Sequence, residues 1–277
     1  MKKILVPTDF SNTSRNALHY AFQLAGALKA ESIDVVHVFL PETAGEADFI
    51  PPVAQLMESR REMLNTFVEE STKEAGPLPC PVSPDVLVGF PGDELTQASE
   101  DYGLIVMGTT GQSGVLEKIF GSVSSSVSQR AYCPVLLVPH DARFRPIRHI
   151  VYASNYESAE KEMIDKLAEF NRHFKAHVHF VHVKRKKDIP IEFARTKEEI
   201  FQELFKDGEP DFAFDVAEVE NEDVAEGLSA YADEKKAEMA VMVTRHRGIW
   251  ESMLHRSQTK RMALATHIPL MVLHLDG

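Results

Sequence analysis

The chain has 277 residues, 44% hydrophobic and 26% charged, with a formal net charge of −12 at pH 7, the balance of a soluble globular protein with length for two domain cores. That acidic balance excludes a reader of nucleic-acid backbones, which needs a basic face; it leaves room for one nucleotide, whose phosphates backbone N–H groups and a metal can hold. Two cysteines give no disulfide or metal framework, and no apolar run approaches the ~18 residues that cross a bilayer.

The chain opens with Ile4-Leu5-Val6, a β-strand that Pro7-Thr8-Asp9 ends too soon for the core of a signal peptide. With the scarcity of cysteine, this predicts a cytoplasmic protein. Residues 11–30 read as a helix, with Ser11 or Asn12 at its N-cap and Ala17, Ala21, Leu24 and Leu28 on one face. Val35-Val36-His37-Val38 is a second strand. The segment from Pro41 to Gln55, with Gly45 and paired prolines, is a candidate for a surface that responds to ligand. A second helix over 52–75 stops at Gly76-Pro77, and its Met57 and Met63 read as core or interface filler. Pro91-Gly92-Asp93-Glu94 opens a third helix, since proline and acidic residues suit a first turn. Leu104 to Met107 is a strand, 122–131 a helix, and 133–138 a closing strand in which Cys133 reads as a small buried thiol.

From residue 149 the same series returns. His149-Ile150-Val151-Tyr152 repeats the first strand, and 157–174 the first helix. Phe180-Val181-His182-Val183 repeats the second strand, 239–242 the fourth, and 268–273 the last. The final two pairs share one offset, so the chain is a duplication. Strands alternating with helices, and apolar without alternation, predict parallel sheets covered on both faces. The expected fold is α/β: two tandem doubly wound five-stranded parallel-sheet domains, 1–142 and 147–277, joined through 143–148.

Ligands of such sheets sit beyond the carboxyl ends of the strands, where strand order reverses. After Met107 come Gly108-Thr109-Thr110-Gly111, nine residues, then Gly121-Ser122-Val123-Ser124 at a helix start. Glycines there permit φ > 0 and close approach to a ligand; the helix N-terminus suits an anion. Asp9, on the adjacent strand end, suits either a ribose hydroxyl or a magnesium ion. The set fits a nucleoside phosphate.

This spacing resembles the ATP-binding signature of the universal stress protein family, as do the opening residues 4–11, His37-Val38 and Cys133-Pro134-Val135-Leu136-Leu137-Val138. The resemblance implies an adenine-nucleotide alpha-hydrolase-like, Rossmann-like fold. It further implies that Pro7, Thr8, Asp9 and Val38 line the adenine and ribose part of a site for ATP or another adenine nucleotide. Met107, Gly108, Thr110, Gly111, Gly121, Ser122, Val123 and Ser124 would surround ribose and phosphates, with Asp9 a candidate for Mg²⁺. Pairing of the two domains through their last strands, as an internal pseudo-dimer, is implied as well, and a homodimer stays open.

The second repeat departs from the pattern: Val243, His246 and Arg256 stand where the glycines stood, and Ala153 and Asn155 replace Pro7 and Asp9. Its site reads as vestigial, the alternative being an anion among Arg245, His246, Arg247 and Arg256. Trp250 lies in the same loop, as a cap on the old pocket or a partner contact. The first site has no Gly-Lys-Ser/Thr motif, and Lys118 reads as a solvated loop residue. A nucleotide-binding regulatory or stress-response protein is therefore expected, with a slow ATPase or autophosphorylating enzyme and a non-enzymatic scaffold as alternatives; no catalytic residue is assigned. His177 and His179 share one strand face, with His182 on the other. With no matched Cys, Asp or Glu spacing they read as neutral strand histidines, and Lys184 to Lys187 as a solvated turn.

Overall fold

The computed structural model describes residues 3–41, 52–109, 121–154, 161–185, 205, 208, 210–245, 261–262 and 267–275. The chain divides into two units, Met1–Phe144 and Arg145–Gly277.

In the first unit β1 (Ile4–Pro7), α1 (Asn12–Leu28), β2 (Ile33–Phe39), α2 (Val53–Ala75), β3 (Val82–Val88), α3 (Pro91–Ala98), β4 (Leu104–Gly108), α4 (Ser122–Arg130) and β5 (Val135–Val138) follow one another. The strands are parallel, in the order β3-β2-β1-β4-β5. Order therefore reverses between β1 and β4. Ile4, Leu5, Val6, Leu104, Ile105, Val106 and residues 135–138 are all fully buried, as strands covered on both faces must be. The face predicted for α1 is the one it buries, with Ala17, Ala21, Leu24 and Leu28 at 0% exposure; each such leucine contributes about 1.5–3 kcal/mol. Cys133 is buried, and burial pushes its thiol up to about 12, so it is inert packing.

The second unit runs β6 (His149–Ala153), α5 (Lys161–Asn171), β7 (His177–Lys184), β8 (Phe214–Glu220), α6 (Val224–Lys235), β9 (Met239–Arg245) and β10 (Leu270–Leu275). Its parallel order is β8-β7-β6-β9-β10. Tyr152 and Phe180, both fully buried, lie 5.1 Å apart at its centre.

The edge strands β3 and β8 carry no clear signal in the sequence. In β3 only Val86 is buried, and Pro84 opposes Val35, a residue tolerated in a sheet because this strand is an edge.

Candidate functional site

Where β1 and β4 part, a cavity of about 300 Å³ opens. Pro7, Thr8 and Asp9 reach it from the end of β1, and Val38 from β2. Met107 and Gly108 close it from β4, and residues 121–124 from the start of α4. Thr110, Gly111 and Lys118 lie outside the described residues. Four lining residues were not singled out from the sequence: Ser14, Val36, Pro91 and Leu95. Pro91 and Leu95 belong to α3, whose approach to this crevice is a tertiary fact; Ser14 had a signal in its place three residues after the N-cap.

Three helix N-termini reach the cavity; α3 brings Pro91, which has no N–H, with Asp93 and Glu94 in its first turn, and those of α1 and α4 differ. That of α1 is closed: the Ser14 N–H donates to Ser11 Oγ over 3.1 Å, and the Ser11 N–H donates to Asp9 Oδ1 over 3.1 Å. That of α4 is open. Its N-cap is Gly121, which has no side chain to accept from Ser122, Val123 or Ser124, and no acidic residue occupies the first turn. Among the described residues nothing accepts from these N–H groups, and with the positive end of the helix dipole they face the cavity, the arrangement an anion prefers.

The floor is a buried hydrogen-bonded set. Thr8 Oγ1 and Ser14 Oγ are 2.9 Å apart, and the His37 Nδ1–H donates to the Thr8 carbonyl over 2.8 Å. Phe10 takes a left-handed conformation at φ 65°, a strain of about 1–3 kcal/mol, and its ring lies 4.4 Å from His37 and 5.7 Å from Phe67. Burial lowers the pKa of His37 from its ordinary value, against the opposing pull of the Thr8 carbonyl; Arg60 lowers it further, and Asp9 raises it. The unfolded chain therefore takes up this proton first as pH falls, so His37 contributes stability that is present above about pH 6.5 and lost below it. His37→Gln is expected to lose less melting temperature than wild type between about pH 7.5 and about pH 5.5. His19 and His179, also lowered by burial, leave a residual slope in both proteins.

Gly108 is needed for a reason other than the one its sequence suggests. It is not among the residues with positive φ. An added Cβ would instead lie 2.7 Å from Thr13 Cγ2 and 3.2 Å from the Thr13 carbonyl carbon and oxygen, so the glycine lets β4 touch α1. Gly121 likewise has an extended backbone, φ −63° and ψ 145°. Ser124 ties the two glycine positions together, its Oγ donating to the Gly108 carbonyl over 2.8 Å.

A larger groove of about 610 Å³ runs along the outer side of α1. Arg15 there already pairs with Glu70 at 3.0 Å, and His19 with Glu74 at 3.4 Å. It is the smaller cavity that carries the switch-point geometry.

In the second unit, Val243 stands on β9 where β4 has Gly108. Asn155, His246, Arg247, Trp250, Arg256, Ser257, Lys186 and Lys187 lie outside the described residues, as does most of the segment from Pro41 to Gln55. One feature does repeat: His182 Nδ1 lies 3.0 Å from the Ser154 carbonyl, as His37 does from Thr8.

No helix among the described residues is long and apolar enough to cross a membrane. The model of the universal stress protein family matches this chain twice, over residues 1–139 and 146–274. Universal stress protein MJ0577 of Methanocaldococcus jannaschii is 34% identical over 155 residues, which cover 50% of this chain and 94% of that protein. Universal stress protein YxiE of Bacillus subtilis is 31% identical over 153 residues, 49% of this chain and 97% of the relative. A crystal structure of a universal stress protein from Archaeoglobus fulgidus superposes with a TM-score of 0.73 at 22% identity, covering 98% of this chain and 96% of the other. That last likeness, at such low identity, speaks for the fold.

Proposed function

The chain belongs to the universal stress protein family, and from that premise we propose that its first unit binds an adenine nucleotide, ATP foremost, and acts as a nucleotide-dependent regulatory protein. The observation that carries this reading is the open N-terminus of α4 facing Asp9 across the switch point. A cavity of about 300 Å³ is at the lower end of ligand sites. It accommodates the nucleoside between Val38, Leu95 and Met107, with the phosphates leaving along the first turn of α4. Asp9, the acidic side chain of the lining, suits a ribose hydroxyl or a Mg²⁺ ion held with the phosphates; a bound Mg²⁺ would neutralise phosphate charge.

Among the described lining residues there is no lysine, arginine or histidine. Phosphoryl transfer uses a cationic group beside the phosphates, so a phosphate-release assay decides between occupancy and turnover. A ligand shifts a protein between states only through unequal affinity for them; nucleotide occupancy would then change what a partner meets.

Mass spectrometry of the heat-released ligand, followed by calorimetric titration of ATP with Mg²⁺, tests the reading. One adenine nucleotide per chain is expected. Two would mean that the second unit retains a site, and none would overturn the proposal in favour of a scaffold. Phosphate release above that of a Gly121→Val control would make the protein a slow ATPase. Asp9→Asn keeps an oxygen to accept from the Ser11 N–H while removing the charge. It is expected to weaken ATP-Mg about 10–100-fold, the worth of one charged hydrogen bond, with the melting temperature little changed; unchanged affinity would remove Asp9 from the site.

A further inference from the structure

The second unit holds a constellation at the opposite end of its sheet, where its strands begin. His149 and His177 are the first residues of β6 and β7 and face each other in register, while His179, two residues on, faces Asp215 of β8. An interval of two puts His177 and His179 on one face, and the parallel register brings Asp215 onto the same face. His177 Nε2 lies 2.9 Å from Asp215 Oδ2, and His179 Nδ1 lies 2.9 and 3.0 Å from the two carboxylate oxygens. One ligand atom from each of the three lies within 4.8 Å of the others. The carboxylate that no spacing along the chain offered comes from the neighbouring strand.

We propose that His177, His179 and Asp215 form a binding site for a divalent transition-metal ion, with zinc the ion these donors suit best. Two imidazoles and a carboxylate are a borderline donor set, and three protein ligands leave a fourth position for water. Tetrahedral zinc at about 2.0–2.1 Å from each donor spaces its ligands about 3.3 Å apart. Asp215 therefore needs to part from each imidazole by only a few tenths of an ångström, while the two imidazole nitrogens, within 4.8 Å of each other, close toward the same spacing.

The surroundings are those of a ligand set. His179, with its side chain 5% exposed, is held from behind: His149 Nδ1 lies 3.1 Å from His179 Nε2. With a metal on Nδ1, the His179 proton resides on Nε2 and is donated to His149. This is the outer hydrogen bond that fixes the orientation of a ligating imidazole. Tyr231 of α6 lies beside Asp215, whose charge helps to raise the pKa of its hydroxyl after burial, and its ring meets His179 edge-on at 5.8 Å. His177 and Asp215, with side chains 35% and 45% exposed, leave a path for the ion.

The first unit supplies an internal comparison. By register, Val82 pairs with Ile33 as Phe214 pairs with Val178, so the places of His177, His179 and Asp215 are held there by Ser32, Asp34 and Ser83, and that of His149 by Lys3. No imidazole stands at any of the four. The cluster belongs to the second repeat alone, and the shared fold does not require it.

Zinc titration of the metal-stripped full-length protein, with Co²⁺ as a spectroscopic substitute, decides the matter. One saturable site per chain is expected. His177→Ala and Asp215→Asn should each weaken zinc by more than about a hundredfold, and His149→Phe by about 10–100-fold through lost orientation. Circular dichroism of the metal-free variants checks their folding. If either ligand variant fails to fold, the wild-type Co²⁺ spectrum replaces it: visible bands of a four-coordinate nitrogen and oxygen site support the proposal, and a thiolate band points to Cys80 or Cys133 and overturns it. Absence of saturable zinc binding, or equal affinity in wild type, His177→Ala and Asp215→Asn, also overturns it.

Discussion

Gly108→Val is expected to abolish measurable adenine-nucleotide binding and to lower the stability of the first unit by about 1–3 kcal/mol, the usual cost of overpacking. Both effects have one cause. Even a Cβ at this position would lie 2.7 Å from Thr13 Cγ2 and 3.2 Å from Thr13 backbone atoms, and the two methyl groups of valine extend the clash. The side chain of Thr13 can turn aside, but its backbone belongs to the first turn of α1. Strand and helix must therefore separate, and the wall that Met107 and Gly108 lend to the cavity moves with them. For a unit of this size each kcal/mol corresponds to about 2–4 °C, so a thermal melt resolves the loss, and calorimetry reads the binding. Gly121→Val is the informative contrast. Its φ and ψ suit any residue, so the expected stability loss is limited to about 1 kcal/mol for a poorer N-cap, while added bulk in the lining reduces binding. Full affinity in Gly108→Val would show that the contact with Thr13 is not what shapes the site.

Phe180→Ala should destabilise the second unit by about 3–5 kcal/mol. Phe180 is completely buried on β7. Around it stand Tyr152 at 5.1 Å, Phe205 at 5.5 Å and Phe214 at 5.9 Å between ring centroids. Truncation removes the ring on which these others pack, and sheet residues held in strand register cannot collapse into the space. Chemical denaturation of the full chain should show the transition of this unit at lower denaturant. A loss below about 1 kcal/mol would mean that the aromatic cluster repacks.

The switch-point cavity was legible because its parts are local. Pro7-Thr8-Asp9 ends one apolar run and Gly108 another, and Gly121-Ser122 starts a helix. Strand order in a doubly wound sheet then places those ends side by side. The resemblance to a known family named the ligand class from the same residues. What local pattern could not give was the reason for Gly108, which is a partner 95 positions away on α1 rather than a backbone angle. Nor could it give Pro91 and Leu95, which reach the cavity only because α3 packs beside it.

The sequence by itself determined the duplication, the parallel strands, the helical faces and the half that keeps the glycines after its fourth strand, since each is written in short-range periodicity and in repeats that a single chain displays. The tertiary structure decided the edge strands, whose half-exposed residues lack an apolar run. It also decided the meeting of His177 and His179 with Asp215, 38 and 36 positions away. Register between neighbouring strands is a property of the assembled sheet. Side chains far apart in sequence become neighbours only when β7 and β8 pair, and no spacing along the chain announces that pairing.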